Sequence, residues 1–343
     1  MKIVGDSCHL SLMNKITPKL SFDENKNYDS WKLSIKEKLW ELLGMDSIAA
    51  NACEANFQIE EDVMMEDYRR IRFVFESEID SFVPCYLLIP NTGKTKYPVA
   101  ITLQGHSTGF HNSIGVPQSD HDKEYIETRG DFGVQSVKNG YATLCIEQRA
   151  MGERKTSRDK FESRMCTFPT MTALMLGRTT LGERIWDVQR AIDVLYNFEI
   201  LDLDKILITG NSGGGTMSYY ASCLEDRIKI SAPSCAFCSY ETSIMSISHC
   251  PCNYIPSAYN WFEMQDLACL IAPKKLLIFA GKEDTIFPID GVKKGFETVQ
   301  KIYEKAGVKD DCKLVVTEKG HWWCKDLVWQ EINKLTDSLN WRT

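Results

Sequence analysis

The sequence predicts an α/β fold: a mostly parallel central β-sheet covered by helices on both faces, with a helical extension at the N-terminus. Three observations predict it. From residue 97 onward, short apolar runs alternate with segments of helical periodicity. The runs are continuously apolar rather than alternating with polar residues, the pattern of strands buried on both faces. Serine, aspartate and histidine follow the ends of three of these runs, on the side where open α/β sheets bind ligands.

Taken in order, residues 1 to 25 read as irregular, partly disordered or draped over the surface. YDSWKLSIKEKLWELLGM (28 to 45) carries Trp31, Leu33, Ile35, Leu39, Trp40, Leu42 and Leu43 at helical spacing, with Asp29 or Ser30 as the N-cap. RIRFVFES (70 to 77) and FVPCYLLIP (82 to 90), separated by a short turn, form an expected antiparallel hairpin. Strands then follow in YPVAITLQG (97 to 105), YATLCIEQ (141 to 148), KILITG (205 to 210), RIKISAPS (227 to 234), KKLLIFAG (274 to 281) and KLVVTEKG (313 to 320). Helices are expected at 183–198, 214–224, 290–306 and 322–339. This divides the chain into an N-terminal extension with an amphipathic helix (1–60) and one catalytic domain (61–343). Segments at about 151–180 and 235–265 do not fit the alternation and read equally as pocket walls, lids or plain connections.

The 343 residues are 43% hydrophobic and 25% charged, ordinary for a globular chain. A net charge of -7 and a pI near 5.5 give no basic footprint, which argues against nucleic-acid binding. No apolar run approaches membrane-span length, and the first residues lack a continuous apolar core of the kind a secretion signal needs. The expectation is a cytoplasmic protein without a membrane partner. Its thirteen cysteines, an odd number scattered from Cys8 to Cys324, then read as reduced thiols, many of them buried.

The chemistry begins in KILITGNSGGGTMSYYASC (205 to 223). Gly210-Asn211-Ser212-Gly213-Gly214 matches GxSxG between a strand and a small-residue helix, the arrangement that projects a serine hydroxyl above a sheet. The competing reading, a phosphate cradle at a helix N-terminus, lacks the P-loop lysine. A serine hydroxyl needs a base to become a nucleophile. In this type of site the acid and the histidine follow the serine in that order, and of six histidines only His321 follows the candidate acid Asp284. Glu283 and Asp290 lie near Asp284 and remain alternatives. The oxyanion donors are expected to be the N–H of Gly213 and one from LQGHSTG (103 to 109), with His106 chosen.

Other groups compete for a role. Cys235-Ala-Phe-Cys238 and His249-Cys250-Pro-Cys252 offer soft ligands from which a zinc site can be drawn. The unusual C-x-C spacing and the adjacent strand favour buried thiols, so no metal and no cofactor are expected. Trp261 and Trp322, with Tyr259 and Trp323, offer flat faces to sugar rings, although core or rim packing is the commoner fate of such residues. Arg149 and Glu153 in EQRAMGER are expected to pair and brace a loop beside the pocket.

With these residues in place, the chain resembles an α/β-hydrolase family of the dienelactone-hydrolase and acetyl xylan esterase type. The resemblance runs from about residue 30 to the end, through EQRAMGER (147 to 154), LGRTTLGERIWDVQRAIDVL (176 to 195), GNSGGG (210 to 215), HCPCNYIP (249 to 256), DLACLIAPKKLLIFAGKEDTIFPI (266 to 289) and GHWW (320 to 323). It implies a carboxylic ester hydrolase with Ser212 as nucleophile, Asp284 as acid, His321 as base and the amides of His106 and Gly213 as oxyanion donors. Two departures stand out: a serine replaces the cysteine nucleophile of dienelactone hydrolases proper, and two tryptophans follow the base. The expected substrate is a small ester, acetyl esters of carbohydrates among them, hydrolysed through an acyl-enzyme at a rate that rises with pH as His321 loses its proton. A serine peptidase or amidase on the same fold, and a non-catalytic binding protein, are the alternatives; a homo-oligomer is left open.

Overall fold

The computed structural model describes residues 5–159 and 165–342. Their strands are β1 Gln58–Met64, β2 Tyr68–Glu78, β3 Ser81–Pro90, β4 Tyr97–Leu103, β5 Ala142–Ile146, β6 Leu201–Asn211, β7 Ile228–Ser234, β8 Lys275–Gly281 and β9 Cys312–Thr317. All nine join one sheet in the order β1-β2-β3-β5-β4-β6-β7-β8-β9. β1 pairs antiparallel with β2, β2 with β3 and β3 with β5; from β5 to β9 every pairing is parallel. This is the α/β-hydrolase architecture.

The continuous apolar runs are explained by the two faces. Along β6, Ile206 and Ile208 enter the larger core and Leu207 the smaller one; along β8, Leu276, Ile278 and Ala280 alternate in the same way with Leu277 and Phe279. Side chains of a strand point to opposite faces in turn, so burying both faces leaves no polar positions to mark the period. The helices Thr180–Leu195, Gly213–Leu224 and Ile289–Lys305 cover one face, while Phe132–Lys138 and Lys325–Ser338 cover the other.

The hairpin forms as expected, but β1 was not expected at all. QIEEDVM is acidic and largely exposed, and holds its place through cross-strand ion pairs: Glu60 with Arg72, Glu61 with Arg70 and Asp62 with Arg69. A charged strand of this kind suits a sheet edge, where it discourages pairing with other chains.

The N-terminal helix spans Tyr28–Leu43 and buries Trp31, Ile35, Leu39 and Leu43 in the larger core. Its N-cap is Asn27, not Asp29 or Ser30. The Asn27 side chain accepts from the Ser30 amide at 3.0 Å, which puts those two residues inside the first turn. Gly44 ends the helix at φ 74°, where a Cβ would overlap the carbonyl oxygen of Gly177. Asn27→Ala is expected to lower stability by about 1 kcal/mol, read as a lower urea midpoint at unchanged slope. Of residues 5–25, Ser7–Met13 form a helix with no buried residue. The chain then runs along the domain, with the amides of Lys19, Leu20 and Phe22 donating to Asn260 O, Trp261 O and Asp266 Oδ1.

Candidate active site

Ser212 sits at φ 56° and ψ -123°, a conformation that costs a non-glycine residue roughly 1–3 kcal/mol and is kept only where the surroundings impose it. The surroundings here are close backbone. A Cβ on Gly210 or Gly214 would overlap the Leu103 carbonyl oxygen at the end of β4, and one on Gly215 would overlap Ser234 O at the end of β7. The Ser212 amide donates to Ser234 O at 2.9 Å, and its carbonyl accepts from Thr216 N at 2.8 Å, starting the helix Gly213–Leu224. The strained residue is therefore pinned between strand and helix with its hydroxyl at the helix N-terminus, where the dipole favours developing negative charge.

Asp284 follows β8 and His321 follows β9, and the two meet: His321 Nδ1 lies 2.9 Å from Asp284 Oδ2. Asp284 is buried, and its other oxygen accepts from the amides of Ile286 (2.8 Å) and Phe287 (3.1 Å). Burial pushes the Asp284 carboxyl up, but the hydrogen bond and charge of His321, with those two amides, outweigh it and hold it below the usual range. Glu283 takes no part; its amide donates to Lys319 O. Among the described residues the only other histidine–carboxylate ion pair is His111–Asp122 (3.3 Å), and both of its residues are buried. No hydrogen bond joins Ser212 to His321 in this conformation, and such contacts commonly tighten only when substrate binds.

The loop after β4 passes directly over the serine. A Cβ on Gly105 would lie 2.9 Å from Asn211 O, and one on Gly213 would lie 3.1 Å from the His106 ring and 3.8 Å from the His106 amide nitrogen. His106 thus lies close against Gly213, the other candidate oxyanion residue. Beneath the loop, Glu147 receives Gln104 Nε2 (3.0 Å), Phe110 N (3.2 Å) and Glu153 N (3.3 Å). Burial pushes the Glu147 carboxyl up to about 7 despite these donors. A cavity of about 160 Å³ opens beside Ser212, walled by His106, Ile247, His249, Ile286 and Phe287. A larger cavity of about 540 Å³, lined by Asp23, Tyr259, Glu263 and Lys294, holds neither Ser212 nor His321.

Several expected roles fall elsewhere. Trp261 stands away from the serine with the amines of Lys19 and Lys38 over its ring, at 4.4 and 4.0 Å from the centroid. The Trp322 ring is covered by the Arg129 guanidinium at 3.4 Å, and Trp323 is core, donating Nε1 to Gln135 Oε1. Neither Trp261 nor Trp322 lines the cavity at Ser212. Arg149 and Glu153 do not pair: Arg149 bonds Glu78 and Asp187, whereas Glu153 bonds Arg72. The drawn zinc set also disperses. Cys238 lies against Thr242, His249 against Ser243, and Cys235 beside Asp284 and His321, its thiol pushed up to about 12 mainly by burial. Only Cys250 and Cys252 stay together, and they meet His106 and Cys166 instead. His249, a candidate ligand by sequence, instead walls the cavity and packs on Phe287, which also stacks on the His321 ring.

The Abhydrolase family model matches residues 6–232. The chain belongs to the Abhydrolase family. The match includes Ser212 and both candidate oxyanion residues and stops before Asp284 and His321. The hydrolase-named protein YtaP of Bacillus subtilis (strain 168) is 29% identical over 241 residues, covering 69% of this chain and 77% of its own. Among solved structures, a Bacteroides fragilis NCTC 9343 protein assigned as an acetyl xylan esterase superposes with a TM-score of 0.79 at 16% identity, over 98% of this chain and 96% of that one. A glucuronoyl esterase from Solibacter usitatus gives 0.66 at 14% identity (95% and 99%), and an acetyl xylan esterase from Paenibacillus sp. R4 gives 0.63 at 16% (96% and 99%). At these identities the superpositions establish the Abhydrolase fold over nearly the whole chain. No described helix is long and apolar enough to cross a membrane.

Proposed function

We propose that this protein is a serine carboxylic ester hydrolase acting on short-chain esters, acetyl esters first, with a carbohydrate as a candidate alcohol. The observation that carries this reading is the strained Ser212 at φ 56° on one strand end with the Asp284–His321 pair at 2.9 Å on the two strand ends beyond. His321 Nδ1 donates to Asp284, which leaves Nε2 unprotonated and able to take the Ser212 proton. The alkoxide attacks the ester carbonyl, and the oxyanion receives the N–H groups of Gly213 and His106. His321 then protonates the leaving alcohol, and water, activated by the same imidazole, releases the acid. Short acyl groups are favoured because about 160 Å³ is well below the roughly 300–1,000 Å³ of pockets that take larger ligands. The acetyl xylan esterase names among the structural relatives support acetyl esters as substrates, and the glucuronoyl esterase name supports ester hydrolysis more generally.

The test is hydrolysis of p-nitrophenyl esters from acetate to octanoate by the wild type and Ser212→Ala. A serine-dependent rate greatest for acetate supports the reading, and acetylated sugars are then tried. Equal rates in both proteins on every ester would overturn it.

A further inference from the structure

Four soft ligand atoms converge beside the candidate active site. His106 Nε2 and the sulfurs of Cys166, Cys250 and Cys252 all lie within 4.8 Å of one another. His106 Nε2 is 3.2 Å from Cys252 Sγ, and Cys250 Sγ is 3.3 Å from Cys252 Sγ. Ligands of a tetrahedral zinc ion, with Zn–S of about 2.3 Å and Zn–N of about 2.0–2.1 Å, sit roughly 3.5–3.8 Å apart, between the two shortest separations of the cluster and its 4.8 Å limit, so small side-chain adjustments suffice to hold one. We propose that His106, Cys166, Cys250 and Cys252 form a structural zinc site.

The surroundings agree with that assignment. Three thiolates and one neutral imidazole around Zn²⁺ carry a net charge of -1, and the buried Arg184 places Nη2 3.3 Å from Cys166 Sγ. Arg184 is fixed there by the Arg149 carbonyl, which accepts from both Nε and Nη2. The apolar cluster around the thiols is small, with Ala150 and Met151 as its other buried members, so packing alone gives weak cause for three cysteines to meet. Four protein ligands fill a tetrahedral shell, which makes the site structural rather than catalytic.

The ligands also come from separate places. His106 belongs to the loop over Ser212, Cys166 to the turn before the helix Thr167–Met175, and Cys250 and Cys252 to the turn around Pro251–Asn253. A zinc ion would therefore tie both segments outside the strand–helix alternation to the loop carrying the His106 amide. Metal binding stands independently of the ester-hydrolase reading, while its effect on rate rests on that reading.

The test is the zinc content of protein purified under reducing conditions without chelator, by elemental analysis, then replacement by Co²⁺. The expected result is about one zinc per chain, falling at least tenfold in Cys250→Ser/Cys252→Ser. Cys235→Ser, which removes the other cysteine beside a histidine and a carboxylate, should keep its zinc. The cobalt protein should show a thiolate-to-metal charge-transfer band and the strong visible absorption of tetrahedral Co²⁺. If the double variant does not fold, as judged by circular dichroism, Cys166→Ala takes its place with the same expected loss, alongside displacement of cobalt by zinc in the wild type. Reduced wild type that retains no metal after incubation with zinc and buffer exchange overturns the site. So does zinc that persists in the ligand variants, or a metal-free protein with Cys250 and Cys252 joined in a disulfide. Because the readout is metal content, an inactive protein that binds zinc would overturn only the ester-hydrolase reading.

Discussion

Asp284→Asn is expected to lower kcat/KM for a short-chain ester about 10⁴-fold while leaving the melting temperature nearly unchanged. The hydrogen bonds around Asp284 determine this outcome. Its Oδ1 accepts from the Ile286 and Phe287 amides, so an amide side chain at this position must place its carbonyl oxygen there. Its NH₂ then faces His321 Nδ1, which in the native protein lies 2.9 Å from Asp284 Oδ2. Only the tautomer protonated on Nε2 can accept that donor, and an Nε2 bearing a proton cannot take another from Ser212. The fold survives because every hydrogen bond is still made. Removing the nucleophile or the base should have a larger effect: Ser212→Ala and His321→Ala are each expected to reduce the rate on the order of 10⁶-fold, and the double variant no further, since the residues act as one unit. Steady-state kinetics on p-nitrophenyl acetate checks all four proteins. An Asp284→Asn protein retaining more than a tenth of the native rate would remove Asp284 from the mechanism.

The legibility of this site in the sequence follows from how local its signals are. Ser212 is announced by five consecutive residues because the strand, turn and helix that strain it are adjacent in the chain, and the overlaps at Gly210 and Gly214 explain why those positions are glycine. His321 and Asp284 are legible through chain order and strand ends, although choosing Asp284 over Glu283 needed the geometry. The cysteine–histidine cluster was hidden for the opposite reason. Its ligands are spread over 147 positions of sequence, from His106 to Cys252, and the local pairs that resemble ligands, Cys235 with Cys238 and His249 with Cys250, do not share a ligand group among the described residues. The edge strand β1 was missed because cross-strand arginines hold it rather than any apolar pattern of its own. Residue type alone leaves Trp261 and Trp322 open to sugar stacking or to packing, and in the structure cationic side chains occupy their faces.

Asp187→Ala is expected to destabilise the protein by about 3–5 kcal/mol, the usual consequence of stranding a buried charge. Asp187 is buried and bonds Arg149 (2.9 Å), Arg154 (2.6 Å) and Ser77 Oγ (2.6 Å). Without it Arg149 keeps Glu78, but Arg154 keeps only the Glu147 carbonyl and the Ser81 hydroxyl, neither of which carries a charge. Burial pushes the Asp187 carboxyl up, and the guanidiniums of Arg149 and Arg154 more than reverse this, holding it well below the usual range. A depressed carboxyl adds stability above its unfolded-state pKa of about 3.9 and loses it progressively as pH falls below that value. Glu147 and Glu263, pushed up by burial to about 7, act in the opposite sense: they add stability as pH falls from there toward 4.5. The urea midpoint of the wild type alone therefore mixes the two effects, and the difference between wild type and Asp187→Asn separates them. That difference should be constant from neutral pH down to about 5 and shrink toward pH 3. A difference that stayed constant to pH 3 would mean that the Asp187 charge contributes nothing and only its hydrogen bonds matter. The position also tests the link to the active site. Arg154 donates to the backbone of Glu147, the residue whose carboxylate receives Gln104 and Phe110 beneath the His106 loop. Asp187→Ala should thus lower kcat more than it raises KM even at temperatures where the variant is fully folded.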